Sequence, residues 1–177
     1  CWIARLSIQA SVYGYIKMVS ITGHRMLKDS IILDKVRIPL SLLKDPRCLL
    51  AFGFGSGCAP KAPGTFGTLA AVPFYFLIAD LPILPYVLVC LVAFVVGCYL
   101  CEVASKALGV HDHGGIVWDE FVGYWIAMMA APKGILWVIL GFILFRVFDI
   151  WKPAPIKQLD AKVHGGFGIM LDDLVAG

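Results

Sequence analysis

The chain has 177 residues, of which 60% are hydrophobic and only 15% are charged, and its mean hydropathy is +0.85. Soluble domains are usually about one-quarter charged, so this composition excludes an ordinary soluble domain and indicates an integral or interfacial membrane protein. The formal net charge is +3 and no basic run is present, which sets nucleic-acid binding aside. At this length we expect one domain.

Residues 1–45 are predicted to be a leader of uncertain status. The chain begins with Cys1 rather than methionine, and no clear signal peptide follows. Met26 opens an amphipathic, mildly basic stretch that fits either a membrane surface or a poorly ordered leader. We therefore expect the native start at or near Met26, with the functional domain over residues 46–177.

Residues 51–67 form a loop-like stretch that reads AFGFGSGCAPKAPGTFG. Its density of glycine and proline predicts neither regular helix nor strand. Backbone N–H groups in such a stretch, with Ser56, Lys61 and Thr65 nearby, can cradle an anion. The stretch is not a P-loop, because the ending Gly-Lys-Ser/Thr is absent.

Several apolar runs predict helices. Residues 68–79 are interrupted by Pro73, whereas residues 83–101 carry no charge and are long enough to cross a bilayer core. Residues 121–131 and 135–145 each fall below the usual span of about 20 residues, so they are expected to be tilted, re-entrant or buried against other helices. Cys98 and Cys101 lie in the long run, where cysteine is usually a small buried hydrophobe.

The segment 111–123 concentrates acidic and imidazole groups in an otherwise apolar chain, and it reads HDHGGIVWDEFVG. Acidic residues in a first helical turn suit the helix dipole, which explains one carboxylate. It does not explain Asp119 beside Glu120, with Asp112, His111 and His113 close in sequence. Such a cluster at the edge of an apolar segment predicts a site for a divalent metal.

Two further polar groups lie near the end of the chain. Arg146, Asp149 and Lys152 recur at every third residue, which places them along one side of a helix. The simplest interpretation is an ion pair between Arg146 and Asp149; beside a bilayer, charged groups are more often functional. Asp172 and Asp173 form a second adjacent acidic pair.

The distribution of charge predicts that all polar motifs share one membrane face. If Lys44, Arg47 and Lys61 are cytoplasmic, two helical hairpins return each later motif to the same side. A single active site at the cytoplasmic surface needs this arrangement. The rival interpretations are a small transporter, which would carry charges at mid-span, and a metal-binding helical membrane protein without catalysis.

Four segments together resemble the phosphatidylglycerophosphatase A family. They are residues 53–71, 111–123, 145–156 and 164–177, in the family's order and with similar spacing. The resemblance implies a small, all-helical bundle, membrane-embedded or membrane-associated, with Gly/Pro-rich loops carrying the site. It also implies a Mg²⁺-dependent enzyme of the bacterial inner membrane that converts phosphatidylglycerophosphate to phosphatidylglycerol. The family continues into a further apolar helix, so we expect the chain to be truncated.

The resemblance also implies roles for individual residues. Phosphate binding would fall to basic and polar groups, and catalysis to the acid and imidazole cluster, with an aspartyl-phosphate and an activated water both left open. A homo-oligomer is left open as well. The metal candidates are Asp119, Glu120, Asp149, Asp172 and Asp173; the catalytic candidates are Asp112, His113, Asp119, Glu120 and Asp149; and the substrate-binding candidates are Lys61, Thr65, Arg146, Lys152 and His164.

Neighbouring residues on a helix point about 100° apart, so both members of an acidic pair cannot face one ion. We expect one direct ligand in each pair, with the other acting as a cap or an outer partner. Gly123 leaves space one turn after Glu120, and small residues flank Asp172, which favours Asp172 as the closer of its pair.

Overall fold

Helices form all the regular secondary structure in the computed structural model, which describes residues 38–110, 113–154, 163 and 165–177. The expected all-α class is therefore confirmed for this part of the chain. Two short 3-10 segments are Leu42–Lys44 and Gly53–Cys58. The α-helices are α1 (Pro46–Ala51), α2 (Pro63–Ile78), α3 (Ile83–Leu108), α4 (Trp118–Ala127), α5 (Ile135–Trp151) and α6 (Gly165–Ala176).

The short helix α4 is the centre of the bundle, and it packs against α2, α3, α5 and α6. Every residue from Glu120 to Trp125 is buried. The helix has ten residues and is about 15 Å long, half of the roughly 30 Å needed to cross a hydrocarbon core. Of the alternatives for residues 121–131, the structure therefore favours a helix buried against its neighbours.

Among the described helices, only α3 is long and apolar enough to cross a membrane. It has 26 residues, and it extends the predicted run 83–101 by two turns that carry Glu102 and Lys106. Those two residues form an i,i+4 ion pair of 2.9 Å. The Glu102 carboxylate also accepts a 2.7 Å hydrogen bond from the backbone N–H of Gly166, which anchors the start of α6 against α3.

Three helices expose many large apolar side chains. Soluble monomers rarely expose large contiguous apolar surfaces, so these faces fit contact with lipid. The exposed residues include Leu69, Phe76 and Leu77 on α2, Leu84, Leu88, Leu91 and Val95 on α3, and Trp137, Ile139, Ile143, Leu144, Ile150 and Trp151 on α5.

Hydrogen bonds between side chains and carbonyl groups fix α4 against its neighbours. The indole N–H of Trp118 donates to the carbonyl of Ala93 on α3 at 3.1 Å, and that of Trp125 donates to Ala71 on α2 at 3.2 Å. The hydroxyl of Tyr86 donates to the Trp125 carbonyl at 2.5 Å. The phase of α4, and with it the direction of Glu120, is therefore set by two neighbouring helices.

The glycine-rich stretch departs from its prediction at its end. Residues 53–55 all have positive φ, including the non-glycine Phe54 at 58°, so this part is irregular as expected. The prediction that residues 51–67 contain no regular helix is wrong after Ala62, because α2 begins at Pro63. Proline suits this first helical position, where its missing N–H group has no helical partner to lose.

Candidate active site

Three carboxylates from three helices meet on one side of α4. Glu120 lies on α4, Asp149 on α5 and Asp173 on α6, and each offers an oxygen within 4.8 Å of the other two. Glu120 is 7% exposed and Asp173 is 3% exposed. We call these three residues the carboxylate cluster. Three acidic groups this close and this buried repel one another unless cations or protons compensate them.

Arg146 supplies one compensating charge from α5. Its Nη1 donates to Glu120 Oε2 and lies 2.7 Å from Asp149 Oδ2. The pair of Arg146 with Asp149 expected from the i,i+3 spacing is thus present. One guanidinium faces three carboxylates, and its buried Nε has no hydrogen-bond partner among the described residues.

The helix α2 covers the cluster with a threonine and a glycine. The Thr68 hydroxyl is buried, and its oxygen lies 2.9 Å from Glu120 Oε2 and 3.0 Å from the Gly64 carbonyl. A Cβ atom at Gly64 would fall 2.1 Å from Glu120 Oε1 and 3.1 Å from both terminal nitrogens of Arg146. A larger residue at this position would therefore have to displace the carboxylate of Glu120 or the guanidinium of Arg146.

The surroundings favour protonation of the cluster when no cation is bound. Burial raises the pKa of Glu120, and the charge of Asp149 raises it further, while Arg146 opposes both effects. Burial and the neighbouring negative charges, above all that of Glu120, raise the pKa of Asp173 well above its usual range. Asp173 Oδ2 is buried without a hydrogen-bond partner in the described part of the chain. Oxygen ligands in this state fit a hard divalent cation.

The two adjacent acidic pairs diverge, as the helical geometry requires. Glu120 and Asp173 join the cluster, whereas Asp119 and Asp172 each accept a 3.1 Å hydrogen bond from the backbone N–H of the next residue. Asp172 Oδ2 also lies 2.5 Å from the ammonium of Lys152. The expectation that Asp172 is the closer member of its pair is not met, because Asp173 takes that place.

The other predicted site residues lie in several places. Lys61 is exposed in the loop before α2, and Thr65 is half-buried in the first turn of α2. The Gly115 N–H donates to His113 Nδ1 at 3.0 Å, which holds the imidazole against the loop before α4. His111, Asp112 and His164 lie outside the described residues.

Comparison with known proteins assigns the chain to a family. The sequence model described as Phosphatidylglycerophosphatase A matches residues 49–177. The chain belongs to the phosphatidylglycerophosphatase A family.

Three bacterial relatives match this chain over most of their own length. The chain is similar to Phosphatidylglycerophosphatase A of Escherichia coli strain K12, with 54% identity over 136 residues that cover 76% of this chain and 79% of the relative. It is 48% identical over 139 residues to the protein of the same name from Haemophilus influenzae strain Rd. This match covers 77% of this chain and 85% of the relative. A "Putative phosphatidylinositol-3-phosphatase" of Bacteroides thetaiotaomicron is 38% identical over 137 residues, which cover 73% and 85%. No solved structure gives a significant match.

In this member of the phosphatidylglycerophosphatase A family, the cluster and its contacts draw on all four segments that resemble the family. Gly64 and Thr68 come from the first, Glu120 from the second, Asp149 from the third and Asp173 from the fourth. Sequence reasoning chose Thr65 and missed Thr68. The available signal was a hydroxyl one turn after a glycine inside an apolar helix, which indicates a buried polar contact.

Proposed function

We propose that this chain is a Mg²⁺-dependent phosphoric monoester hydrolase that converts phosphatidylglycerophosphate to phosphatidylglycerol and inorganic phosphate. The observation that carries the proposal is the carboxylate cluster of Glu120, Asp149 and Asp173, with Arg146 in contact with Glu120 and Asp149, in a chain of this family. A non-catalytic metal protein would not require the basic groups beside the cluster. A transporter is not favoured by relatives that are named as phosphatases.

The cluster residues are the proposed ligands of Mg²⁺. Their oxygen atoms suit this ion, and Asp119, adjacent to Glu120, is a candidate for its outer shell. Bound there, Mg²⁺ would supply positive charge to neutralise a phosphate dianion and polarise its oxygens. Arg146 would hold Glu120 and Asp149 in place, because its Nη1 contacts both. Thr68 would add a second contact to Glu120 Oε2, the same oxygen that Arg146 contacts.

Basic groups around the cluster are the proposed phosphate site. The guanidinium of Arg146, whose buried Nε has no hydrogen-bond partner among the described residues, is a candidate donor because a guanidinium binds phosphate through a planar fork. Lys152 would add an ammonium from the end of α5. Lys61, Thr65 and His164 complete the proposed substrate-binding set.

The reaction breaks the bond between phosphorus and the glycerol oxygen, and the departing oxygen must gain a proton. His113 is the proposed acid/base group, with Asp112 and His111 as its candidate partners. Either a carboxylate or a water molecule attacks phosphorus, and in both routes the phosphate must first be neutralised by the surrounding positive charges.

The proposed setting is the cytoplasmic face of a bacterial inner membrane. The predicted positive side of the chain carries Lys44, Arg47 and Lys61, and Lys152 follows α5. The exposed apolar faces of α2, α3 and α5 provide the contact with lipid. A phospholipid substrate would then meet the site at the level of its headgroup.

Phosphate release by the full chain in detergent micelles tests the proposal. We expect hydrolysis of phosphatidylglycerophosphate that stops on addition of a chelator and returns with Mg²⁺. Glu120→Gln should lower turnover by at least about two orders of magnitude, because it removes charge from the centre of the cluster. Asp80→Asn, which alters an exposed carboxylate paired with Lys133, is the matched control and should keep wild-type turnover.

Phosphatidylinositol 3-phosphate is the comparison substrate, since a 38% identical relative carries a putative assignment to it. We expect slower release from this lipid, whose phosphate sits on a bulky ring. Wild-type activity that survives complete chelation would contradict the metal-dependent mechanism. Faster release from the inositol lipid would change the substrate while leaving the reaction class intact.

A further inference from the structure

Lys152 occupies an unusual backbone position at the end of α5. It caps the helix in the left-handed conformation, with φ 42° and ψ 61°, and its N–H donates to the Phe148 carbonyl at 2.9 Å. Left-handed geometry is uncommon for a residue with a side chain. Pro153 follows immediately and discourages continuation of the helix at Lys152. The chain therefore turns sharply here and directs Lys152 toward α6.

The Lys152 ammonium meets Asp172 on α6 in a sheltered ion pair. Nζ lies 2.5 Å from Asp172 Oδ2, and the two side chains are 27% and 9% exposed. Surface ion pairs contribute little because water screens them and their side chains remain mobile. This pair is different, because its acidic partner is almost fully enclosed and fixed on a packed helix.

Both residues of the ion pair are close in sequence to residues of the carboxylate cluster. In sequence, Asp172 directly precedes Asp173, and Lys152, the cap of α5, follows Asp149 by three residues. Asp172 itself does not belong to the group of carboxylates that converge within 4.8 Å. The Asp172 carboxylate pairs with the Lys152 ammonium instead, while the next residue, Asp173, belongs to the carboxylate cluster.

We infer that Asp172 is a positioning residue whose carboxylate holds the Lys152 ammonium at the rim of the cluster, where it meets the phosphate of the substrate. This inference rests on the proposed phosphatase function. Asp172 acts through Lys152 and is not a ligand of the metal. An ammonium has three donors, so it can contact a carboxylate and a phosphate oxygen at the same time.

The physical need for a positioning residue follows from the lysine side chain. A free lysine samples many rotamers, and fixing it in one of them costs side-chain entropy. The ion pair with Asp172 restricts the rotamers of Lys152 before substrate binds, so phosphate binds to an ammonium that is already in place. Loss of Asp172 should therefore weaken phosphate binding more than it slows the chemical step.

Kinetics of Asp172→Asn in detergent micelles separate this role from metal ligation. We expect KM for phosphatidylglycerophosphate to rise about tenfold, as for one lost charge-assisted contact. The inhibition constant of inorganic phosphate should rise by a similar factor, and the Mg²⁺ concentration for half-maximal activity should stay unchanged. Asp173→Asn, at the adjacent cluster residue, should instead shift the Mg²⁺ requirement.

A double-mutant cycle tests whether Asp172 acts through Lys152. Lys152→Met alone should raise KM at least as much as Asp172→Asn does, and the double variant should be no worse than Lys152→Met. Asp172→Glu keeps the charge and should recover part of the loss. Lys133→Met with Asp80→Asn, which removes an exposed Lys–Asp pair, is the matched control and should leave KM unchanged.

Several results would overturn the inference. If Asp172→Asn shifts the Mg²⁺ requirement and leaves KM unchanged, Asp172 is a metal ligand. If the effects of Asp172→Asn and Lys152→Met on KM are fully additive, Asp172 does not act through Lys152. If Asp172→Asn does not fold, Lys152→Met must still raise KM and the phosphate inhibition constant, or the inference fails. An inactive wild-type chain would refute the proposed function instead, so the two failures are distinguishable.

Discussion

Glu120 is the residue at which polar contacts from three helices meet. Thr68 reaches it from α2 and Arg146 from α5, while Glu120 itself projects from the buried centre of α4. A lone buried carboxylate would be costly, and one arginine cannot balance the three acids of the cluster. At this scale the fold makes full ionisation of the three acids costly, and a bound cation would relieve that cost.

The strongest test of this residue-scale argument is Asp173→Asn. Asp173 is buried, its pKa is raised well above the ordinary 3.8, and one of its oxygens has no hydrogen-bond partner in the described residues. With chelator present, the folded protein keeps a proton that the unfolded chain loses above about pH 4, so the free energy of unfolding should fall as pH rises toward the raised pKa.

We expect Asp173→Asn to weaken this pH dependence, with the part due to Glu120 remaining, and to raise the unfolding temperature in chelator at pH 8 by a few degrees, equivalent to about 1 kcal/mol. Added Mg²⁺ should stabilise the wild type and not the variant. Thermal unfolding between pH 5 and pH 8 gives the measurement, and Asp80→Asn, at an exposed ion pair, is the control. A variant that unfolds at lower temperature than the wild type in chelator at pH 8 would contradict the argument that ionisation of the cluster destabilises the cation-free protein.

At the scale of the element, α4 depends on close approach to α6. A Cβ atom at Gly123 would lie 2.7 Å from the ring of Phe145 and 2.9 Å from the backbone oxygen of Asp173. The ring can shift, whereas the α6 backbone is held by Glu102 at its start and by its long contact with α3. Space at Gly123 thus brings Glu120 and Asp173 together.

We therefore predict that Gly123→Ala separates α4 from α6 and lowers both stability and turnover. Overpacking of this kind typically costs about 1–3 kcal/mol, and a displaced Asp173 should raise the Mg²⁺ concentration needed for half-maximal activity. Unfolding in denaturant and Mg²⁺ titration of activity measure the two effects. Gly114→Ala is the control, because its Cβ would meet only Pro63 Cγ at 4.0 Å. Unchanged stability and Mg²⁺ requirement would show that α6 moves freely.

The sequence predicted where the helices lie better than it predicted how each helix is rotated against its neighbours. Charge-free runs and Pro/Gly turns were enough to locate α3 and α5, and the 100° rule was enough to split each acidic pair. The choice of Asp173 over Asp172 was not predictable, since it depends on how α6 rotates against α3 and α4. Thr68 was missed for the same reason: its contact with Glu120 joins residues 52 apart in the chain.

At the scale of the whole molecule, the described helices enclose an acidic cluster beside a hydrophobic core and also expose apolar side chains on their outer faces. The outer faces of α2, α3 and α5 carry exposed leucine, isoleucine and phenylalanine. The burial of α4 explains how a helix of ten residues exists in such a chain without crossing a bilayer. Only α3 has the length and composition for a crossing among the described helices.

The exposed tryptophans of α5 make the position of the site in a bilayer measurable. Trp137 and Trp151 are 44% and 74% exposed, and 14 residues of helix separate them by about 21 Å. If Trp151 lies among the headgroups with Asp149 and Lys152, Trp137 lies deep in the hydrocarbon, since a full crossing needs about 30 Å.

Quenching of tryptophan fluorescence by brominated lipids should resolve this difference in depth. Bromine near the headgroup should quench the signal lost in Trp151→Phe, and bromine deep in the acyl chain the signal lost in Trp137→Phe. Equal quenching of both signals at one depth would place α5 flat along the surface. With Trp151 at headgroup level, a lipid would reach the carboxylate cluster by lateral diffusion and lose its phosphate without leaving its own leaflet.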